Sequence, residues 1–155
     1  MQTTSITTPI GKLGLHIHNN KLTRIDFLPD DATLQEPNDS ISQEIYNQLK
    51  KYFNNPNHTF NLEIDLQGTP FQKTVWQALR TIPMGQTESY GTLAKRLKTS
   101  PRAIGNACRT NPIPVIIPCH RVVAKHHIGG FAGDTQGNRI TMKQWLLQHE
   151  SALTK

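Results

Sequence analysis

The spacing of apolar residues constrains the fold of this chain more than any other feature, because the spacing changes along the chain. Residues 13–17 alternate apolar with other residues, and Ile25 and Phe27 continue the alternation after a turn at Asn19-Asn20. Residues 60–66 alternate in the same way. A period of two places every second side chain on one face, so these segments are predicted to be strands of a half-buried sheet.

A helical spacing separates these strands. Ile41 and Ile45 lie four residues apart, as neighbours on one helix face do. Ser40 and Gln43 stand three residues apart at the start of that face, which is the pattern of a capping box. The sequence therefore predicts a helix from Ser40 to about Phe53.

Beyond the last of these strands helical signals dominate, and we place a domain boundary at Gln67-Gly68. Thr69 and Gln72 form another capping-box pattern directly after it. We therefore expect an α/β (α+β) fold with two parts. A small sheet-and-helix domain, residues 1–66, precedes a helical domain, residues 67–155.

Two short helices in the second domain resemble a DNA-binding motif. The sequence predicts helices at residues 89–98 and 102–110, separated by the break Thr99-Ser100-Pro101. Such a pair resembles a helix-turn-helix, so we expect a winged-helix-like helix-turn-helix here. Many helical pairs share the pattern, so it identifies no function alone. A last helix is predicted from about Thr141 to Glu150, with one face formed by Met142, Trp145, Leu146 and His149.

Charge is divided unequally between the two predicted domains. Residues 1–66 hold five Lys/Arg and eight Asp/Glu, a net of −3, whereas residues 67–155 hold twelve Lys/Arg and three Asp/Glu, a net of +9. A basic domain beside an acidic one favours a polyanion such as nucleic acid as the partner. The alternative is a solvated surface whose asymmetry has no function.

Other features exclude several classes of protein. No apolar run approaches the roughly 20 residues of a membrane span, and the N-terminus lacks the pattern of a signal peptide. Two cysteines do not make a disulfide framework. We therefore expect a cytoplasmic protein without a membrane partner. His16, His18 and His58 are better read as surface histidines than as metal ligands, so we expect no metal.

The segment Pro118-Cys119-His120-Arg121 carries the strongest chemical signal. The apolar run 115–117 before it predicts a buried strand that delivers the Cys119 thiol. A thiol attacks as its thiolate, and an adjacent imidazole or a positive field favours that form. Neighbouring side chains of a strand point to opposite faces, however, so adjacency does not establish contact. The alternative is a buried structural cysteine.

Several segments in the same order resemble the O6-alkylguanine-DNA alkyltransferases. They are Ser89-Tyr90-Gly91-x-Leu93-Ala94, Pro101-Arg102-Ala103-Ile104-Gly105, Asn111-Pro112, Pro118-Cys119-His120-Arg121-Val122-Val123, Gly130-Phe131-Ala132-Gly133 and Lys143-x-Trp145-Leu146-Leu147-x-His149-Glu150. The resemblance is close over residues 69–150, and the first domain matches only in length and element order. It implies irreversible transfer of an alkyl group from O6-alkylguanine in DNA, and from O4-alkylthymine as a further candidate, to a cysteine.

The resemblance also implies a role for each residue of the catalytic set. Cys119 would accept the alkyl group, and His120 would act as base through a water, oriented by Glu150. Asn111 would hold the turn that places Cys119. A further pair, Tyr90 and Lys143, would assist the leaving guanine. Without the neighbouring segments, Tyr90 would be read as a helix-face aromatic and Lys143 as a solvated charge.

The DNA contacts and the partner follow from the same resemblance. Arg102 would enter the base stack and fill the gap left by a rotated nucleotide; a plain phosphate contact is the alternative. The other expected DNA-binding residues are Tyr90, Ala103, Gly105, Arg109 and Arg121. The family implies a monomer that binds double-stranded DNA with alkylated bases and needs no cofactor.

Two departures from the family pattern affect the substrate loop. Phe131-Ala132 stand where some relatives have tyrosine and serine, so a hydroxyl contact is lost, although the backbone N–H of Ala132 can still donate. The segment 133–139 is a few residues longer than in some relatives, and its effect on the alkyl groups that fit stays open.

Two other functions compete with alkyl transfer. Relatives that only recognise lesions replace the cysteine, so Cys119 argues against that class. A thiol hydrolase using Cys119, His120 and Glu150 would need an oxyanion hole, for which the sequence gives no signal.

Overall fold

A computed structural model of the chain describes residues 2–125, 127–131 and 138–150. The chain forms two compact units, Met1–Gln67 and Gly68–Lys155. Within the described residues, no helix has both the length and the apolar character needed to cross a membrane.

The first unit contains a three-stranded antiparallel sheet. Its strands are β1 Gln2–Thr8, β2 Gly11–His18 and β3 Lys21–Phe27, in the order β1-β2-β3. The turn between β2 and β3 places Asn19 and Asn20 in the left-handed region, which asparagine tolerates better than most residues. The two strands predicted from alternation are confirmed. Strand β1 consists mostly of threonine and serine, so it lacks the alternation of apolar residues that would have predicted it.

Helix α1, Ser40–Asn54, packs its apolar face inward, with Ile45 and Leu49 buried. Its N-cap differs from the prediction by one residue. The Asp39 side chain accepts a hydrogen bond from the Ser42 N–H at 2.8 Å, so the capping box runs from Asp39 to Ser42 and the expected box from Ser40 to Gln43 is wrong. An aspartate there also places negative charge at the positive end of the helix dipole.

The strand predicted over residues 60–66 is wrong. Of these residues, only Ile64 makes a bridge, to Leu22 of β3. The side-chain amide of Gln48 donates to the Asn61 carbonyl at 2.9 Å and accepts from the Asn61 N–H at 2.8 Å. A glutamine of α1 therefore takes up the backbone hydrogen bonds of Asn61, and pairing with β3 is confined to Leu22, which bonds to Glu63 and Asp65.

The second unit is mainly helical. Its helices are α2 Pro70–Leu79, α3 Tyr90–Arg96, α4 Pro101–Arg109 and α5 Asn138–His149. The capping box of Thr69 and Gln72 at the start of α2 is confirmed. Helices α3 and α4 pack together as a helix-turn-helix, and Lys98 takes a positive φ in the turn between them. The expected fold class is confirmed.

A short parallel pair joins the helix-turn-helix to the segment around Cys119. Its strands are β4 Glu88–Ser89 and β5 Val122–Val123. Because Ser89 is the N-cap of α3, this pairing fixes the start of α3 beside the residues that follow Cys119.

The segment before Cys119 is buried as expected, but it is not a strand. Val115 has a φ of 76°, a strained value for a β-branched residue that breaks any extended run. Cys119–Arg121 form a 3₁₀ turn instead. Successive side chains in a 3₁₀ turn are rotated by about 120°, so Cys119 and His120 do not point to opposite faces as they would in a strand.

Candidate active site

Asn111 holds the turn that presents Cys119. Its side-chain amide donates to the Ile117 carbonyl at 2.8 Å and accepts from the Ile113 N–H at 3.0 Å. The same side chain makes a hydrogen bond with the Cys119 thiol. An amide is well suited to this position, because it offers both a donor and an acceptor to the folded-back chain.

The Cys119 thiol is enclosed, with 5% of the residue exposed. Burial raises the pKa of Cys119, although the hydrogen bond from Asn111 and the charge of Lys143 oppose the rise. The resting group is therefore the neutral thiol at neutral pH. Attack by this sulfur requires a base that takes its proton at the moment of reaction.

His120 and Glu150 form a fully buried pair. The His120 Nε2 and Glu150 Oε2 atoms are 2.8 Å apart, and both side chains have no exposed surface. Burial lowers the pKa of His120, with Glu150 opposing the effect. A neutral imidazole that donates from Nε2 has its acceptor at Nδ1. That atom is buried and makes no hydrogen bond with the residues described, so it is the ring atom able to take a proton.

Arg121 bonds to both oxygens of the Glu150 carboxylate. Its Nε and Nη2 atoms donate to Glu150 Oε1 and Oε2 at 2.8 and 3.0 Å, and its Nη1 donates to the Ile82 carbonyl at 2.7 Å. Burial alone raises the pKa of Glu150, but the hydrogen bonds from His120 and Arg121 outweigh it and hold that pKa below its usual range. These bonds hold Arg121 inside the site, and the DNA contact expected of it stays a prediction.

Lys143 lies in the interior, fully buried. Its ammonium donates to the carbonyls of Val122 at 2.7 Å and Gly130 at 2.8 Å. Burial lowers the pKa of Lys143 to about 8, with the two cysteines opposing the shift. The alternative of a solvated charge is therefore wrong. The inward face of α5 also differs from the predicted one, since its buried residues are Lys143, Leu146 and Leu147.

Tyr90 lies near both Lys143 and the glycine turn at 129–130. The Lys143 Nζ is 5.9 Å from the centre of the Tyr90 ring, and the phenol makes a hydrogen bond with the Gly130 backbone. Burial raises the pKa of Tyr90, so the phenol keeps its proton. Gly129 has a φ of +79°, and a Cβ there would lie 3.0 Å from the Tyr90 ring, so the turn requires glycine.

Comparison with known proteins identifies the family. The 6-O-methylguanine DNA methyltransferase DNA binding domain matches residues 70–152, and the ribonuclease-like domain of the same methyltransferase matches residues 1–66. The chain belongs to the 6-O-methylguanine DNA methyltransferase family. The methylated-DNA–protein-cysteine methyltransferase of Methanosarcina mazei is 38% identical over 94% of each chain. The constitutive enzyme of that name from Bacillus subtilis is 34% identical, over 95% of this chain and 93% of the other.

Solved structures of the same family are similar to this chain. The crystal structure of Mycobacterium tuberculosis O6-methylguanine methyltransferase has a TM-score of 0.82 and 35% identity, covering 99% of this chain and 94% of the other. A structure of the Mycobacterium tuberculosis protein in complex with DNA has a TM-score of 0.81 and 36% identity, covering 98% and 94%. The resemblance found in the sequence is confirmed.

In this family member, a groove of about 530 Å³ opens beside the helix-turn-helix. Tyr90 and Gly105 line it together with the basic residues Arg102 and Lys125, and the surface of the groove is mainly apolar. Arg102 and Arg109 are exposed on α4, while Ala103 is half-buried. The structure thus places Arg102, Ala103, Gly105 and Arg109 on α4, and Lys125, which was not among the residues expected from the sequence, lines the same groove as Arg102. The only signal for Lys125 was a basic residue soon after the Val122-Val123 segment.

The substrate loop is described in part. Phe131 is buried, with 3% exposed, whereas Ala132 and residues 133–137 of the longer loop lie outside the described residues. Within the described ranges, no three His, Cys, Asp or Glu residues come together as metal ligands.

Proposed function

We propose that this protein repairs O6-alkylguanine in DNA by moving the alkyl group to the Cys119 sulfur. One observation carries the proposal: an enclosed thiol follows a turn held by Asn111, and the adjacent His120 is paired with a buried carboxylate. An imidazole oriented by a carboxylate is the arrangement that activates a nucleophile. Membership of the family supports the same reaction.

In the proposed reaction, His120 takes the Cys119 proton through a water, and Glu150 stabilises the resulting imidazolium. The thiolate attacks the alkyl carbon, a carbon–sulfur bond forms and the bond from that carbon to O6 breaks. Tyr90 and Lys143 supply hydrogen bonds or a proton to the leaving guanine, which departs more readily as a neutral base. The thioether has no easy route back, so each molecule reacts once.

The substrate must be turned out of the helix before this step. The target carbon lies within the base stack, and rotating a nucleotide out costs roughly a few kcal/mol. We propose that Arg102 fills the gap, while Tyr90, Ala103, Gly105 and Arg109 contact the DNA around it. The net charge of +9 over residues 67–155 supports a duplex partner.

The setting of the reaction belongs to the same proposal. Every described residue of the site lies in the second unit of one chain, which supports a monomer with residues 67–155 as the functional domain. A free thiol nucleophile persists in a reducing compartment, which supports the cytoplasm.

The decisive experiment is intact mass after incubation with a duplex containing O6-methylguanine. We expect one added methyl group per protein, mapped by peptide analysis to Cys119 and absent from Cys108. A Cys119→Ser variant should gain nothing. Cys108→Ser is the matched control and should react, because Cys108 is also buried but does not adjoin His120. Methylation of Cys108, transfer by Cys119→Ser, or release of product over many turnovers would contradict the proposal.

A further inference from the structure

Arg121 is held in one position by partners on two sides. Its guanidinium spans from the Glu150 carboxylate, to which it donates two hydrogen bonds, to the Ile82 carbonyl just beyond α2. Its side chain is 12% exposed. A two-pronged bond between guanidinium and carboxylate fixes both the distance and the plane of the carboxylate. Lysine has no such fork and cannot reproduce it.

His120 and Arg121 share one oxygen of this carboxylate. Glu150 Oε2 lies 2.8 Å from His120 Nε2 and 3.0 Å from Arg121 Nη2. The carboxylate that meets the imidazole is therefore already paired with a permanent cation. Two positive charges on one carboxylate repel each other, so the guanidinium opposes the protonation of His120.

We propose that Arg121 is a positioning residue for alkyl transfer, which fixes the plane of Glu150 and keeps His120 neutral and ready to accept a proton. The inference rests on the proposed function and assigns Arg121 a task inside the site in place of a DNA contact.

The charged groups that act on His120 come from two elements. Glu150 and Lys143 face it from α5 and its end, and Arg121 belongs to its own turn. Burial lowers the pKa of His120 most, Glu150 opposes this, and Arg121 and Lys143 add to the lowering. Removal of the Arg121 charge therefore raises the pKa of His120. The transfer rate, which needs neutral His120, then begins to fall at a higher pH as the solution is acidified.

The test measures single-turnover transfer from a free O6-alkylguanine base, which requires no DNA binding, over a series of pH values. For Arg121→Gln we expect the acid limb of the profile to move up by about one pH unit. The rate on the plateau should fall about tenfold or more, since Glu150 loses its fork. Arg121→Lys keeps the charge without the fork, so its limb should stay near that of the parent while its plateau rate falls. Thermal melts of each variant accompany the rates.

Arg96→Gln is the matched control. Arg96 also pairs with a carboxylate, Glu88, at 3.1 Å, but at a more exposed place, and its removal should leave the profile with the free base unchanged. A lower rate without movement of the limb in Arg121→Gln would show a merely structural role and overturn the inference, as would an unchanged profile. If Arg121→Gln does not fold, an Arg121→Lys plateau equal to that of the parent would overturn it. Absence of transfer by the parent protein would instead contradict the proposed function.

Discussion

At the scale of single residues, Glu150 combines two interactions that depend on its charge. The residue is 4% exposed and its carboxylate accepts hydrogen bonds from His120 and Arg121. Removing one partner of a buried ion pair costs roughly 3–5 kcal/mol, because the remaining charge is left without compensation. The sequence alone allowed Glu150 to be merely the end of the last helix. The buried carboxylate instead predicts that a neutral replacement affects both stability and reaction.

We expect Glu150→Gln to slow alkyl transfer by about 100-fold or more, as loss of a tautomer-fixing carboxylate does in related triads. The amide cannot stabilise an imidazolium, and it leaves Arg121 without its anion. The midpoint of thermal unfolding should fall as well. Single-turnover rates beside thermal melts test both effects, and Glu88→Gln, which removes the more exposed carboxylate paired with Arg96, should leave the rate with a free base unchanged. An unaltered rate in a folded Glu150→Gln protein would remove Glu150 from the mechanism.

At the scale of elements, the local features were the ones that the sequence predicted well. The capping box of Thr69 and Gln72 depends on residues three apart, so its signal is complete within one short segment. The strand predicted over residues 60–66 failed because its pairing with β3 is limited to Leu22, while a distant side chain, Gln48, bonds to the backbone of Asn61. Alternation shows which side chains are buried, but it does not show which group bonds to the backbone.

In the site, too, features carried by a short segment were predicted, and features that depend on distant groups were not. The segment around Cys119 was identified by its order of residues. Its 3₁₀ turn and the positive φ of Val115 before it were not predicted, because a β-branched residue seldom adopts such a φ. Lys143 looked like a solvated charge because lysine is seldom buried. Its burial depends on two carbonyls, at Val122 and Gly130, that come from distant parts of the chain.

Helix α4 presents Arg102 to the groove beside the helix-turn-helix, and the element as a whole sets where this side chain lies. The indole N–H of Trp76 in α2 donates to the Ala107 carbonyl of α4 at 2.8 Å. This hydrogen bond holds α4 against α2. We expect Arg102→Ala to reduce transfer from duplex DNA about tenfold more than transfer from a free alkylated base, because only the duplex requires a nucleotide to be rotated out. Single-turnover rates with both substrates measure the ratio. Equal losses on the two substrates would show that Arg102 does not fill the gap left by the rotated nucleotide. Arg109→Ala serves as the comparison, because Arg109 is proposed to contact the DNA without entering the base stack.

At the scale of the whole molecule, the basic groups are concentrated in one unit. Residues 67–155 carry a net charge of +9 and residues 1–66 a net charge of −3. Positive charge that neutralises phosphates releases bound counterions from DNA, so affinity falls as salt rises. The distribution therefore predicts binding that depends strongly on salt and little on base sequence, with the contacts supplied by the second unit.

Lys125 offers a direct test of this prediction, because it is exposed and lines the same groove as Arg102. We expect Lys125→Ala to weaken binding to duplexes of different sequence by a similar factor. The slope of log affinity against log salt should become shallower by about one, the change expected for one lost phosphate contact. Transfer from a free alkylated base, which has no phosphate, should keep its rate at every salt concentration. Lys51→Ala, an exposed lysine of α1 in the acidic unit, is the matched control and should leave the slope unchanged. If the affinity of the parent protein did not change with salt, the electrostatic account would be refuted. If both variants changed the slope equally, the first unit would also contact DNA, contrary to the prediction.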